Sequence, residues 1–240
     1  MVKSLIIKPM NKTKIKVDII ADVVCPWCYL GEFRFKKAAE ELKDKFEFQI
    51  SLKPFELDPN TPVQGKDLRS YLQSRFGSEE AVEESFDHIT GIAADEGLHY
   101  DFNKIKTIPN TFKAHRLIWF AGRYGKSIEV ADALYKAYFL DGKNVNDTNL
   151  LAEIISKFDI REEDVARFFQ EAEGTQEVKE LEIQARQNGI LSVPAFIINN
   201  KYLISGAQST ETFKRVIEKI AAEETLISQA AESCDDVTCE

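Results

Sequence analysis

Two cysteines separated by a proline and a tryptophan, Cys25-Pro26-Trp27-Cys28, are the residues of this sequence best suited to chemistry. Thiol–disulfide exchange needs a thiolate that attacks and a second thiol that resolves the mixed disulfide. A helix start favours the thiolate of Cys25, because its backbone N–H groups have no partners there. Pro26 suits the first helical position, and Trp27 offers a flat apolar surface for a substrate. The motif predicts Cys25 as the nucleophile and Cys28 as the more buried resolving thiol.

A second pair, Cys234 and Cys239, lies near the C-terminus. Together the two pairs leave a zinc site open as an alternative, since structural zinc takes four such ligands. We favour redox chemistry and no metal, because a thiol pair between a buried strand and the start of a helix is the arrangement typical of redox motifs. A mobile second dithiol could relay electrons to or from the first pair. The other interpretation is a pair of incidental tail thiols.

Strands and a helix are predicted around the cysteine motif. Residues 15–22 are rich in β-branched side chains and end at the cysteine turn, and residues 46–57 alternate well enough for a second strand. Between these segments, apolar side chains recur at helical spacing, at Phe35, Ala38, Ala39, Leu42 and Phe46. The cysteine pair therefore stands between a first strand and the helix that follows it.

The middle of the chain is predicted to be helical. Residues 62–188 contain helical stripes separated by turn signals, with no convincing strand. The stripes are Phe86/Ile89/Ala93, Phe112/Ile118/Trp119, Val130/Leu134/Ala137/Tyr138, Leu150/Ile154/Ile155/Phe158 and Val165/Phe168/Phe169. Strand character returns at residues 195–198 and 201–205, joined by a tight turn at Asn199-Asn200, and a last helix follows.

This pattern predicts an α/β protein with a thioredoxin fold that is interrupted by a large all-helical insertion. The thioredoxin-like domain comprises residues 14–61 and 189–225, the insertion comprises residues 62–188, and residues 226–240 form an acidic, mobile tail that carries the second cysteine pair.

Pro194 stands immediately before the third strand. A cis bond between Val193 and Pro194 would place an exposed main-chain edge next to the cysteine turn, where substrate backbone could pair as a short β-addition. A proline before a strand is common and usually only marks a boundary. Combined with the cysteine motif and the following hairpin, it becomes specific and predicts a substrate contact at Val193.

These motifs resemble the FrnE-like branch of the DsbA oxidoreductase family, a group of predicted dithiol–disulfide isomerases. The resemblance implies the same fold, with Cys25 as nucleophile, Cys28 as resolving thiol and Pro194 as the cis-proline. Some members carry a second CxxxxC pair, to which Cys234–Cys239 is similar. The resemblance covers nearly the whole chain and rests on segments 19–30, 54–57, 110–116, 193–196 and 205–208.

Two other functions remain alternatives. Hydroxychromene-carboxylate isomerases and kappa-class glutathione transferases, of the same superfamily, bind glutathione and place a serine where Cys25 stands. This chain keeps both cysteines, which counts against a glutathione-dependent isomerase or transferase. A third interpretation is a redox-sensing, client-binding holdase that captures proteins without turnover.

Two further residues are candidates near the site. His115 is predicted on a helix facing the cysteine motif, as a substrate-binding or thiolate-stabilising residue or, alternatively, as a structural histidine. Asp22 is either a proton acceptor for Cys28 or a cap of the turn. His88 and His99 have no partners at ligand spacing and are predicted at the surface.

Composition limits the partners and the compartment. The 240 residues are 44% hydrophobic and carry a net charge of −9, which argues against nucleic acid. The apolar stretch at residues 5–7 is too short for a secretory segment, and no stretch is long enough to span a membrane. We therefore expect a cytoplasmic protein with no bound cofactor. It would act on disulfide-containing proteins or small thiols, with glutathione or a dithiol protein as external electron donor or acceptor.

Overall fold

The computed structural model describes the backbone of residues 12–235 and the side chains of residues 12–227. The side chain of Cys234 and the whole of Cys239 lie outside these residues. The electron relay expected of this second pair therefore stays a prediction.

The predicted strand–helix–strand unit around the cysteine motif is present. Strand β1 (Thr13–Ala21) leads through a turn into helix α1 (Pro26–Glu41), and β2 (Phe46–Pro54) returns to pair with β1 in parallel. Helix α1 begins at Pro26 and buries one face against the sheet, including Phe35 and Ala38. The cysteine turn thus leaves the sheet at the end of β1, where α1 starts.

Seven helices occupy the segment between the second and third strands of the main sheet. In chain order the elements are β3 (Lys66–Asp67), α2 (Leu68–Phe76), α3 (Glu79–Asp95), β4 (Thr107–Ile108), α4 (Phe112–Gly122), α5 (Ser127–Phe139), α6 (Thr148–Ile155), α7 (Glu162–Gln170) and α8 (Thr175–Gln187). The insertion predicted from the sequence is therefore present. It also contains a two-stranded ribbon, β3–β4, whose strands are too short to show a period of two.

Two helices of the insertion lack an apolar stripe in the sequence. Helix α2 buries only Leu68, and α8 buries Val178, Glu182 and Ala185, so neither shows the apolar periodicity that identified the others. Phe158, assigned to a stripe with the residues of α6, lies beyond the end of that helix.

The predicted hairpin closes the sheet. Strand β5 (Ala195–Ile198) pairs antiparallel with β1, and β6 (Tyr202–Ser205) pairs antiparallel with β5, which gives the order β2-β1-β5-β6. Asn199 and Asn200 form the turn with φ of 50° and 57°, as the tolerance of asparagine for positive φ predicted. Helix α9 (Thr210–Asp235) continues past residue 225, so the first part of the predicted tail is helical, whereas its mobility stays a prediction.

One hydrophobic core extends from the sheet into the insertion. Phe35 packs against Phe196 and Phe213, with ring centroids 5.4 and 5.2 Å away, between the sheet and α9. On the other side of α1, the ring of Tyr29 stacks on Tyr135 of α5 at 4.8 Å. Because the same helix carries both contacts, α1 and its cysteine turn are held from two directions.

Gly31 allows α1 to lie against the loop before β5. A Cβ at this position would stand 3.0 Å from Cγ of Pro194 and 3.3 Å from Cα of Ala207. Only a residue without a side chain fits this approach without a shift of the neighbours. The glycine therefore sets the distance between the helix that carries both cysteines and the Pro194 loop.

Candidate functional site

The two cysteines occupy the first turn of α1. Cys25 is the N-cap residue, with φ of −92° and ψ of 112°, and its N–H donates to the carbonyl oxygen of Asp22 at 3.1 Å. Cys25 is 5% exposed and Cys28 is fully buried, which agrees with the predicted order of accessibility. Both are free thiols in this structure. Of the two thiols, Cys25 is therefore the one that a group from solvent can reach first.

The surroundings of Cys28 favour the protonated thiol. Burial raises the pKa of Cys28 well above its usual value, and the neighbouring Cys25 sulfur adds to the effect. The Asp22 backbone opposes the shift only in part. Because only a thiolate attacks a disulfide, Cys28 must lose its proton before it can act.

The loop before β5 brings main-chain atoms to the nucleophile. The Val193–Pro194 peptide bond is cis, Pro194 is buried, and the carbonyl oxygen of Val193 lies 4.0 Å from Sγ of Cys25. The N–H of Gly206 donates to the carbonyl oxygen of Pro194 at 2.8 Å, which fixes the loop to the end of β6. The structure thus brings together Cys25, Cys28, Val193 and Pro194, as the sequence predicted.

A largely apolar cavity of about 340 Å³ opens beside Cys25. The cysteine turn and Val193 line one side, and side chains of α2 and α3, among them Leu72 and Phe86, line the other. Trp27 is 37% exposed at this cavity, with its ring centroid 6.0 Å from that of His88. The predicted contact residues Pro26 and Trp27 therefore line the cavity next to Cys25.

The cavity wall carries carboxylates and, among its described lining residues, no lysine or arginine. Asp22 and Asp58 line it, and Asp58 accepts a hydrogen bond from Lys66 at 2.6 Å. The wall therefore suits uncharged, apolar groups better than anionic ones.

Asp22 lies beneath the cysteine turn, almost fully buried. Its Oδ2 accepts from the N–H of Leu57 at 2.8 Å, and its Oδ1 accepts from the N–H of Val24 at 3.4 Å. Nε2 of His115 stands 3.3 Å from the same Oδ1, at ion-pair distance but outside hydrogen-bond geometry. Asp22 therefore fulfils the capping role that the sequence left as one of two possibilities.

His115 lies in the interior, not at the cavity surface. Its side chain, on α4, is fully buried, and it is not among the residues that line the cavity. Its position therefore differs from the predicted substrate contact, because the apolar face of α4 turns it toward Asp22. Burial opposes the charged form, but Asp22, Glu182 and Glu56 outweigh it and raise the pKa of His115.

Two more carboxyl groups surround this histidine. Glu182 of α8 accepts a hydrogen bond from the N–H of Glu56 at 3.0 Å, and Arg186 donates to the carbonyl oxygen of Glu56 at 2.8 Å. Burial, followed by the charge of Glu182, raises the pKa of Glu56 from 4.5 to about 7. Burial also raises the pKa of Glu182. His115 thus lies within a buried acidic cluster formed by Asp22, Glu56 and Glu182.

Glu56→Gln tests this cluster through the pH dependence of folding. A folded-state pKa above the unfolded value stabilises the protein at low pH, and that stability is lost as the pH rises through about 7. Glutamine imitates the protonated acid at every pH. Below the unfolded pKa, at about pH 4, we expect wild type and variant to unfold alike, and at about pH 8 we expect the variant to be more stable by about 1–3 kcal/mol.

The measurement is urea unfolding followed by circular dichroism at both pH values. Glu177→Gln, at an exposed position of α8, is the matched control and should leave the pH dependence as in wild type. Parallel pH dependence in wild type and Glu56→Gln would show that Glu56 is ionised in the folded protein.

Sequence reasoning missed the roles of Glu56, Glu182 and Tyr100. Glu56 belongs to a motif that carried the resemblance, but its burial depends on Glu182, 126 residues away. The hydroxyl of Tyr100 donates to the carbonyl oxygen of Pro26 at 2.9 Å and fixes the cysteine turn to the insertion. The available signal for Glu182 was its spacing from Val178 and Ala185 on one face of α8.

The sheet order, the cysteine pair at a helix start and the adjoining proline loop define a thioredoxin-fold protein with a helical insertion. Residues 16–218 match the family model of the DSBA-like thioredoxin domain. The chain belongs to this family, whose members act on thiol or disulfide substrates.

Similar proteins extend over most of the chain. A probable DsbA oxidoreductase of Streptomyces coelicolor is 32% identical and has a TM-score of 0.78, with 87% of this chain and 91% of that chain covered. The uncharacterized protein YwbO of Bacillus subtilis is 25% identical over 208 residues, which cover 85% of this chain and 96% of YwbO. The cytosolic disulfide reductase DsbM of Pseudomonas aeruginosa, solved with GSH, has a TM-score of 0.63 at 14% identity, with 86% of this chain and 99% of that chain covered. This last likeness shows the shared fold.

Within residues 12–235, no helix combines the length and the apolar composition that crossing a bilayer requires.

Proposed function

We propose that this protein is a dithiol–disulfide oxidoreductase of the FrnE-like branch, working as a disulfide reductase or isomerase. The observation that carries the proposal is the position of Cys25. It stands at the N-terminus of α1, at the cavity wall and 4.0 Å from the Val193 carbonyl oxygen, with the fully buried Cys28 one turn behind it. Family membership supports the same chemistry.

In the proposed cycle, the Cys25 thiolate attacks one sulfur of a substrate disulfide, and the other sulfur leaves as a thiolate. Cys28 then loses its proton and attacks Cys25, which releases the second substrate thiolate and leaves a Cys25–Cys28 disulfide. Two electrons have passed from the protein to the substrate. An external thiol, either glutathione or a dithiol protein, reduces the pair again, directly or through Cys234 and Cys239.

Substrates in this proposal are disulfide-containing proteins or small thiol compounds. The substrate main chain pairs with Val193, Pro194 shapes that edge, and Pro26 and Trp27 support the group next to the disulfide. His115 influences the cysteine turn from the interior, through its contact with Asp22, and does not touch the substrate. We place the reaction in the cytoplasm, by analogy with the cytosolic reductase DsbM, with no membrane or nucleic-acid partner and no bound cofactor.

Turnover of a disulfide-bonded protein with excess dithiol tests the proposal. We expect Cys25→Ser to reduce turnover to the uncatalysed rate, because a serine hydroxyl does not exchange with disulfides. Circular dichroism should show that the variant remains folded. Equal activity of Cys25→Ser and wild type would overturn the proposal and favour a glutathione-dependent or client-binding role.

A further inference from the structure

A groove of about 510 Å³ lies between α1, α5 and the loop that follows α3. It is separate from the cavity at Cys25, because no described residue lines both. Its volume falls within the range of pockets that hold small organic molecules. The proposed exchange reaction makes no use of this groove, so its lining is evidence for a second binding site.

Lysines predominate among the charged side chains of the groove. Lys36 and Lys37 come from α1 and Lys136 comes from α5, whereas Asp132 is the one carboxylate among the described lining residues. The whole chain carries a net charge of −9, so three lysines facing one groove depart from its overall composition. A concave surface that concentrates positive charge attracts anions.

Asp132 is shared between two of these lysines. Its Oδ1 lies 3.3 Å from Nζ of Lys36, and its Oδ2 accepts a hydrogen bond from Lys136 at 2.7 Å. Glu32 stands 3.5 Å behind Lys36, but burial raises the pKa of Glu32 from 4.5 to about 7, which leaves it partly protonated at neutral pH. The acids beside Lys36 and Lys136 therefore compensate their charges only in part.

Lys37 is also incompletely paired. Its Nζ lies 3.7 Å from Oε2 of Glu96, whose Oε1 accepts a hydrogen bond from Arg34 at 2.9 Å. About half of the side chain is exposed for both Lys37, at 52%, and Lys136, at 55%. Because exposed ion pairs contribute little to stability, both ammonium groups can turn toward a ligand at small cost.

Apolar side chains line the groove beside the lysines. Phe33 and Leu140 are half-buried, and Leu98 is buried. A bare inorganic ion would leave the half-buried pair in contact with water, whereas a ligand with a ring or a hydrocarbon part would cover it. The lining therefore suits an anion that carries an apolar group.

We propose that this groove binds the phosphate monoester of an aromatic or otherwise apolar small molecule. The phosphate is held by Lys36, Lys37 and Lys136, because lysine ammonium groups bind phosphate as point charges. The organic part covers Phe33 and Leu140. A dianion matches a lining in which three ammonium groups stand beside one carboxylate.

Titration of phenyl phosphate with the full chain near neutral pH, followed by phosphorus NMR, tests the proposal. We expect a dissociation constant of about 1 mM or below in dilute buffer, which is the affinity usual for a ligand with so few atoms. Inorganic phosphate should bind about ten-fold more weakly, because it has no ring to cover the apolar side chains. Absence of phenyl phosphate binding, or equal affinity for the two probes, would overturn the proposal.

Substitutions in the groove locate the bound phosphate. Lys37→Gln and Lys136→Gln should each weaken phenyl phosphate binding about five-fold, the effect of one close charge in water. Asp132→Asn should strengthen binding by a similar factor, about five-fold, because it removes the carboxylate that repels the ligand. Lys219→Gln, at an exposed lysine of α9, is the matched control and should leave the affinity unchanged.

The opposite signs of these effects distinguish a phosphate site from ion pairs that only stabilise the fold. Purely structural pairs would let Asp132→Asn and Lys136→Gln lower the urea midpoint while phenyl phosphate binding stays as in wild type. That result, or equal weakening by Lys219→Gln, overturns the assignment. Disulfide turnover by the groove variants should match wild type, so failure of the exchange reaction would leave the binding result intact.

Discussion

Cys28→Ser should convert the protein from a catalyst into a trap that retains one substrate per chain. Cys25 keeps its position at the start of α1 and its access to the cavity, so attack on a disulfide proceeds. The resolving thiol is missing, and serine does not displace a mixed disulfide. Substrate therefore stays covalently bound to Cys25, and turnover falls to a single stoichiometric event unless external thiol releases it.

Non-reducing electrophoresis and intact-mass measurement detect the trapped species. Added dithiol should release the substrate, and the double variant Cys25→Ser/Cys28→Ser should trap none. Undiminished turnover by Cys28→Ser would instead indicate a monothiol reaction, in which an external thiol resolves the intermediate. The identity of the trapped proteins or thiols would also define the substrates directly.

Gly31→Val should both destabilise the fold and slow the reaction of Cys25. The first carbon of the new side chain would meet Pro194 Cγ at 3.0 Å and the backbone of Ala207 at 3.3 Å. Neither neighbour can rotate away, since one is a ring and the other is main chain. We expect a loss of about 1–3 kcal/mol from overpacking, together with slower attack by Cys25, because α1 and the Val193 loop separate.

Urea unfolding and the rate of Cys25 alkylation measure the two effects. Gly91→Val is the matched control, because Gly91 lies in α3 and a Cβ at that position would meet no atom within 4 Å. Valine there should change stability by no more than about 1 kcal/mol and leave alkylation unaffected. Similar losses in both variants would show that helix propensity, not contact with Pro194, accounts for the effect of Gly31→Val.

Local sequence signals predicted the parts of the structure that local physics determines. The β-branched run before Cys25, the helical spacing after Pro26 and the asparagine turn before β6 each reflect backbone preference or burial of one face. Each of these elements is present near its predicted position. The cysteine pair and the Val193–Pro194 loop were found in the same way, because their residue types are informative by themselves.

Buried acids could not be predicted from the sequence in this way. Periodicity identifies apolar residues that face a core, whereas Glu32, Glu56 and Glu182 become buried through contacts with distant elements. Glu32 shares a helix face with Cys28, so its spacing was visible. Because glutamate usually lies at the surface, this spacing did not predict that Glu32 is buried. Helix α8 went unrecognised for the same reason, since a charged residue occupies the centre of its buried face.

Two parts of the chain form the cavity wall, and this division affects how related proteins can diverge in substrate selectivity. The sulfur chemistry depends on the β1–α1 turn and the Val193 loop, while α2 and α3 supply part of the opposite wall. Substitutions such as those at Leu72 or Phe86 can change which molecules are accepted without touching the reacting atoms. Part of the selectivity is therefore encoded apart from the reacting cysteines, so related proteins can diverge in the substrates they accept while they keep the same reaction.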